Sequence, residues 1–188
     1  MKHLPAAAAL SLVVATVAAH AQSIEQKAQL CAACHGAAGV PTQNNIPVIW
    51  GQQLGYLFIE LRDFKSGARK NDMMSPIAQG LEQSDLLPLA TYFSKETWPD
   101  LQQKQAAADV AAQAQRVNAS VVCTSCHQEG FNGAGTQPRL AGQSRDYLAK
   151  TMVDFRTGAR ANNPTMTAFM KGISESDTAA LASYLAGL

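Results

Sequence analysis

The sequence predicts an all-α protein built from two consecutive halves that arose by internal duplication. The first observation is a repeat, since the motif Cys-x-x-Cys-His at residues 31–35 recurs 92 residues later at residues 123–127. A longer stretch, Asp-Phe-Lys-Ser-Gly-Ala-Arg at residues 63–69, recurs with two changes at residues 154–160. The second observation is a helical spacing of apolar residues in both copies, without an alternating β-branched run. Two copies indicate a duplication rather than a solenoid, which needs three or more repeats.

Both halves contain start and stop signals for helices. Ser23 and Gln26 form a predicted capping box ahead of the first helix. A second helix follows from an i, i+3, i+4, i+7 spacing of apolar residues and is predicted to end at Gly67, and its copy at Gly158. The last helix of the second half is predicted to begin at Ser174. Each half has only about 75–80 residues, and a domain of that size rarely builds a sufficient core without a staple.

The N-terminus predicts export. Residues 4–19 are almost entirely apolar, and Ala19-His20-Ala21 has the form of a signal-peptide cleavage site. We therefore expect residues 1–21 to be a signal peptide cleaved after Ala21, and the mature chain to lie in the periplasm. The alternative is an uncleaved anchor, but a 16-residue apolar run is short for a span of about 20 residues. The rest is expected to form a first domain over residues 22–97, a linker over 98–108 and a second domain over 109–188.

The composition of the mature chain narrows its partners. Removal of residues 1–21 leaves 14 basic and 14 acidic residues. That balance argues against a nucleic-acid-binding protein, which concentrates positive charge. No later stretch is apolar and long enough to cross a bilayer, so membrane association is expected only through partner proteins.

The Cys-x-x-Cys-His motif is the attachment motif of haem c. Its two thiols add to the two porphyrin vinyl groups, and the histidine that follows is directed at the iron as the proximal ligand. Two copies at matching places in an exported chain predict two covalently bound haem c groups. The predicted residues are Cys31, Cys34 and His35 in the first half and Cys123, Cys126 and His127 in the second.

Three alternatives explain the cysteines less well. Four cysteines in an exported chain could form two disulfides, but both following histidines would then have no role. A thioredoxin-like dithiol belongs in a βαβ context, which the sequence lacks. A zinc site needs four nitrogen or sulfur ligands, and each half offers two cysteines and one histidine.

The sixth iron ligand is predicted to be methionine. Two of the four histidines leave with the signal peptide, and the other two belong to the motifs, so ligation by two histidines is excluded within the chain. Methionine is the usual substitute and raises the reduction potential. The repeat pairs Met74 with Met166, each 39 residues after its histidine, whereas Met73 aligns with Thr165. Met152 and Met170 fit core positions.

Two further features concern the surroundings of each iron. Pro47 and Pro138 follow the motif histidines by 12 and 11 residues, and their carbonyls are candidate acceptors for the second imidazole nitrogen. Trp50 in the first half stands where Ala141 stands in the second. This asymmetry predicts two distinguishable one-electron steps.

The sequence resembles the cytochrome c4 family, the dihaem branch of the class I cytochromes c. The resemblance covers nearly all of the mature chain and is carried by the two Cys-x-x-Cys-His motifs, by Pro-Arg-Leu-Ala-Gly-Gln at residues 138–143 and by Asn-Asp-Met-Met-Ser-Pro at residues 71–76. It implies two tandem cytochrome c-like domains with facing haem propionates and His/Met iron in both. It also implies a periplasmic carrier that feeds a haem–copper terminal oxidase.

Three classes of function use covalently bound haem groups in an exported protein. A diffusible one-electron carrier, exchanging electrons with a terminal oxidase or a quinol-oxidising complex, is the first. A dedicated subunit of a periplasmic dehydrogenase is the second. An enzyme such as a peroxidase, or a gas sensor, needs an open iron position, which two methionine ligands deny, so the sequence predicts an electron-transfer protein rather than an enzyme.

Overall fold

The computed structural model describes residues 22–188, which fold into helices and connecting loops. The first half contains α1 (Ile24–His35), α2 (Leu54–Ser66), α3 (Met74–Gln79) and α4 (Leu86–Ser94). The second half contains α5 (Ala108–Val121), α6 (Thr124–His127), α7 (Arg145–Thr157), α8 (Pro164–Lys171) and α9 (Glu175–Ala186). Short 3-10 turns lie at Gln83–Asp85 and Glu129–Phe131. Residues 22–188 form no strand, only one isolated bridge between Ala134 and Gln137, and the all-α fold class is confirmed.

The predicted helix boundaries are confirmed by the hydrogen bonds at the caps. The Ser23 Oγ accepts from the Gln26 backbone N–H at 3.3 Å, and the Gln26 Oε1 accepts from the Ser23 N–H at 3.0 Å. Gly67 and Gly158 end α2 and α7 with φ of 79° and 82°, a conformation that glycine adopts without a Cβ penalty. The Ser174 side chain caps the N-terminus of α9.

The two halves repeat one packing scheme. In the first half α2 packs against α3 and α4, and α1 packs against α4. In the second half α7 packs against α8 and α9, and α5 packs against α9. Each half has its own apolar core, one centred on Leu57, Leu89 and Phe93 and the other on Phe155 and Leu181. The duplicated sequence thus produces a duplicated three-dimensional unit.

The segments that carry the two cysteine motifs differ in shape. Helix α1 runs unbroken to His35, whereas α5 ends at Val121 and the second motif continues in the separate α6. Val122 lies between them with φ of 53°, in the left-handed region. A β-branched residue there costs on the order of 1–3 kcal/mol of backbone strain.

The segment between the halves contacts both of them. Trp98 and Leu101 pack against the core of the first half. The Gln103 amide donates to the backbone carbonyls of Gln143 and Ala186 in the second half, at 2.9 and 3.2 Å. The segment therefore attaches to both halves, while the domain boundaries at residues 97 and 109 stay a prediction.

The two halves meet over a largely polar contact. Helix α2 approaches the second half so closely at Gly55 that an added Cβ would lie 2.7 Å from the Gly135 carbonyl oxygen. The Gln53 amide donates to the Asn132 carbonyl at 3.0 Å, and the Ser144 hydroxyl donates to the Asn44 carbonyl. These bonds join the loop regions that follow the two cysteine motifs.

Among residues 22–188, no helix is both long and apolar enough to cross a membrane. The predicted signal peptide lies outside the described residues.

Candidate haem-binding sites

The four motif cysteines lie in pairs one helical turn apart. All four carry free thiols; Cys31 and Cys123 are half-buried, and Cys34 and Cys126 are exposed. Burial raises the pKa of the Cys31 thiol to about 11, and it also raises the pKa of Cys123. A dithiol that exchanges disulfides needs a lowered thiol pKa. The two half-buried thiols are therefore not activated as disulfide-exchanging nucleophiles.

Both motif histidines are buried and oriented by a backbone carbonyl. The Nδ1 of His35 lies 2.8 Å from the Pro47 carbonyl oxygen, and the Nδ1 of His127 lies 3.0 Å from that of Pro138. A carbonyl can only accept, so Nδ1 carries the proton and Nε2 keeps its lone pair for a metal. These contacts confirm the two prolines as acceptors.

The buried histidines are held in the neutral form. Burial lowers the pKa of His35 and of His127 below the usual value, outweighing the hydrogen bonds to the proline carbonyls, which raise it. The neutral imidazole is the form that binds iron. Both side chains are consequently poised as ligands at neutral pH.

The methionines separate into three environments. Met152 and Met170 are buried in the core of the second half, and Met73 is 66% exposed. Met74 and Met166 are half-buried. Met166 packs against the edge of the second core, and the two methionines share an intermediate exposure that sets them apart from the other three.

Met74 and Met166 also share a local backbone geometry. The Asn71 Oδ1 accepts from the Met74 N–H at 2.9 Å, and the Asn163 Oδ1 accepts from the Met166 N–H at 3.1 Å. Each asparagine lies three residues before its methionine and holds it in the first turn of a short helix, as N-cap of α8 in the second half. The structure thus places the two residues equivalently, as the repeat alignment does.

A buried charge cluster, which we name the Glu60 cluster, joins the halves. The Glu60 carboxylate pairs with the Arg69 guanidinium at 2.7 Å and with the Arg160 guanidinium of the second half. Asn162 donates to Glu60 at 3.2 Å and to Asp63 at 2.8 Å. Arg69 and Arg160 occupy equivalent positions in the repeat. The sequence comparison had shown both arginines without indicating that they converge on one carboxylate.

The arginines of the Glu60 cluster act on a buried tyrosine at the contact between the halves. Arg69 donates to the Tyr147 hydroxyl at 3.2 Å. Burial alone would raise the pKa of the Tyr147 phenol, but the Arg69 and Arg160 guanidiniums lower it to about 8. Two guanidiniums share the single Glu60 carboxylate, and the Asp63 carboxylate is engaged by Arg62. Arg62 is half-exposed, so the buried groups are two guanidiniums and the two carboxylates of Glu60 and Asp63, and their formal charges balance.

These residues fit covalently held haem c. Each half supplies a thiol pair one turn apart, a neutral imidazole with its Nε2 free of hydrogen bonds among the described residues, and a half-buried methionine in a matching local structure. This donor set defines the class of protein as a dihaem c-type cytochrome.

Comparison with known proteins agrees with that class. The family model described as Cytochrome c matches residues 110–188. Cytochrome c4 of Pseudomonas aeruginosa is 32% identical, over 93% of this chain and 92% of its own length. The thiosulfate dehydrogenase electron acceptor of Stutzerimonas stutzeri is 33% identical, over 99% and 95%. The chain belongs to the cytochrome c4 family, and it is an electron-transfer protein.

Solved structures show the same relationship. Reduced cytochrome c4 from Pseudomonas stutzeri superposes with a TM-score of 0.78 at 30% identity, covering 89% of this chain and all of that one. Thiosulfate dehydrogenase from Marichromatium purpuratum superposes with a TM-score of 0.72 at 28% identity, covering 83% of this chain and 36% of that one. The tandem arrangement of two cytochrome c-like units is therefore a shared fold.

Proposed function

We propose that this protein carries two covalent haem c groups and moves electrons one at a time between redox proteins of the periplasm. The proposed iron ligands are His35 and Met74 in the first half and His127 and Met166 in the second. The single observation that carries the proposal is the matching constellation in both halves: two thiols, one neutral buried imidazole and one capped methionine.

The chain supplies what an outer-sphere electron carrier needs. Bound haem would supply one-electron chemistry. The protein's part would be to supply one histidine and one methionine to each iron, so that little rearrangement accompanies electron transfer. The proline carbonyls orient the two imidazoles.

We propose a haem–copper terminal oxidase as electron acceptor and a quinol-oxidising complex as donor. The support is the family, together with the predicted signal peptide, which would place the mature chain in the periplasm. The chain would reach the membrane through these partners, since no helix of residues 22–188 could span it.

A second candidate function is that of electron acceptor for a periplasmic dehydrogenase. Two relatives are named thiosulfate dehydrogenase electron acceptors, and a thiosulfate dehydrogenase structure contains the same fold. Affinity capture of the tagged protein from its own cells would separate the two candidates. A dehydrogenase recovered in fixed ratio through the purification would favour the second, and an oxidase reduced by the isolated protein would favour the first.

The mature protein is expected to begin at Gln22 and to carry the mass of two haem groups. Four thioether bonds would keep both haem groups attached during acid denaturation. Intact-mass spectrometry of the periplasmic fraction therefore measures both the first residue and the number of haem groups. A mass corresponding to one haem or none would contradict the proposal.

The reduced protein is expected to bind carbon monoxide poorly at neutral pH and to show negligible peroxidase turnover. A six-coordinate iron has no position for a small molecule. The measurement is the Soret band of the dithionite-reduced protein before and after addition of carbon monoxide. A stoichiometric shift at either haem would indicate an open site and would favour an enzyme or sensor.

A further inference from the structure

A chain of hydrogen bonds runs from each motif histidine into the opposite half. In the first half, the peptide group between Pro47 and Val48 accepts the His35 Nδ1–H through its carbonyl at 2.8 Å. The N–H of that same peptide group donates to the Gln143 Oε1 at 2.8 Å. Gln143 belongs to the second half, 95 residues away. One peptide group thus joins the histidine of the first half to a glutamine of the second.

The second half contains the reciprocal arrangement. The peptide group between Pro138 and Arg139 accepts the His127 Nδ1–H at 3.0 Å and donates its N–H to the Gln52 Oε1 at 2.8 Å. Gln52 belongs to the first half and is the repeat equivalent of Gln143. The two chains of hydrogen bonds are therefore related by the duplication, and each crosses the contact between the halves.

Both glutamine amides are hydrogen-bonded through their oxygen and their nitrogen. The Gln143 Nε2 donates to the Val48 carbonyl at 2.9 Å, and the Gln52 Nε2 donates to the Arg139 carbonyl at 3.0 Å. Each side-chain amide therefore binds both the N–H and the carbonyl of a single residue in the opposite half. Gln52 and Gln143 are each only 3% exposed, so water does not compete effectively for these bonds.

We propose that Gln52 and Gln143 are positioning residues that tune the iron of the opposite half. A peptide N–H that donates to a glutamine makes its own carbonyl a stronger acceptor, because hydrogen bonds in series polarise one another. The stronger acceptor draws on the imidazole Nδ1–H and makes Nε2 a more basic ligand. A more basic ligand stabilises the oxidised iron and lowers the potential. The inference rests on the proposed haem ligation.

The consequence is a mutual dependence of the two haem sites. Gln143 would set the potential of the first haem. It lies, however, in the second half, shortly after Pro138, whose carbonyl accepts from His127. A purely structural role would instead weaken the contact between the halves and disturb both haems alike. The two roles predict different patterns of potential change.

The test measures the two midpoint potentials of the full-length holoprotein after replacement of each glutamine by methionine. Gln143→Met leaves the Val48 N–H without an acceptor and should raise the potential of the first haem. Loss of one hydrogen bond in the series should raise the reduced-to-oxidised ratio of the first haem about threefold at a fixed solution potential. This ratio corresponds to a midpoint potential about 28 mV higher, at 59 mV per tenfold. Gln52→Met should act in the same direction on the second haem.

Two further variants separate tuning from structural damage. Gln53→Met removes another glutamine that crosses to the second half. Its amide donates to the Asn132 and Gly133 carbonyls and not to a peptide group that accepts from a motif histidine. It should leave both potentials unchanged. Gln143→Glu keeps an oxygen acceptor for the Val48 N–H and should not raise the potential of the first haem.

The methionine variants assign each one-electron step of the redox titration to one haem. Met74→Ala and Met166→Ala should each shift the potential of the step that belongs to their own half. If neither displaces a step, the proposed ligands are wrong. The glutamine inference has its own readout in the NMR shift of the His35 Nδ1 proton, which should move upfield in Gln143→Met. It is overturned if that proton stays in place, or if Gln143→Met moves the second haem or both haems equally.

Discussion

Replacement of Met74 by alanine is expected to lower the potential of the first haem by on the order of 0.1–0.3 V, within the roughly 0.8 V that axial ligands can span. A thioether ligand favours the reduced iron, and alanine cannot replace it. The same variant should become high-spin at one haem and bind carbon monoxide there. The measurements are a redox titration and the spectrum of the reduced protein with and without carbon monoxide.

Met73→Ala is the matched control because it removes the neighbouring methionine. The Met73 side chain is 66% exposed, so this variant should keep both haems six-coordinate and both potentials unchanged. Met166→Ala should reproduce the Met74→Ala result at the second haem. Loss of the ligand in Met73→Ala instead would shift the repeat alignment by one residue and reassign the site.

Replacement of Glu60 by leucine is expected to cost about 3–5 kcal/mol of unfolding free energy. Removal of the carboxylate leaves Arg69 and Arg160 close together in the contact between the halves, with side chains only 12% and 6% exposed. Two buried guanidiniums without their shared partner carry an uncompensated charge. Denaturant unfolding of the holoprotein, followed at the haem and by circular dichroism, measures the loss.

A surface carboxylate serves as control for Glu60. Asp154 pairs with Lys150, whose side chain is 60% exposed, and such pairs contribute at most about 1 kcal/mol. Asp154→Asn should therefore change the stability little. A cost below about 1 kcal/mol for Glu60→Leu would show that the two arginines do not depend on this carboxylate.

Local patterns were sufficient to predict most helix ends and the two carbonyl acceptors of the motif histidines. Ser23, Gly67, Gly158 and Ser174 act at helix ends through backbone geometry within a few residues, so their roles can be read from neighbouring positions. The cysteine motifs are equally local. The proline acceptors could be predicted because the repeat placed them at similar distances from both histidines.

The break at Val122 could not be predicted in the same way. Residues 108–121 form α5, and the repeat alone suggests that the second motif continues a helix as the first does. The backbone departs from the helix at a β-branched residue that has no intrinsic preference for positive φ. The Val122 side chain is 53% exposed, so burial in a core does not account for the break.

The sequence by itself determined where the paired thiols and the imidazoles stand, that residues 22–188 hold no further histidine, and that each half has an equivalent methionine. Only the tertiary structure decided which side chains of one half meet the other. Gln143 reaches Val48 across 95 residues, and Glu60 reaches Arg160 across 100. A repeat shows which positions are equivalent, but the contacts between two copies depend on how their surfaces dock. Helix and capping patterns, which act over three or four residues, carry no information about that docking.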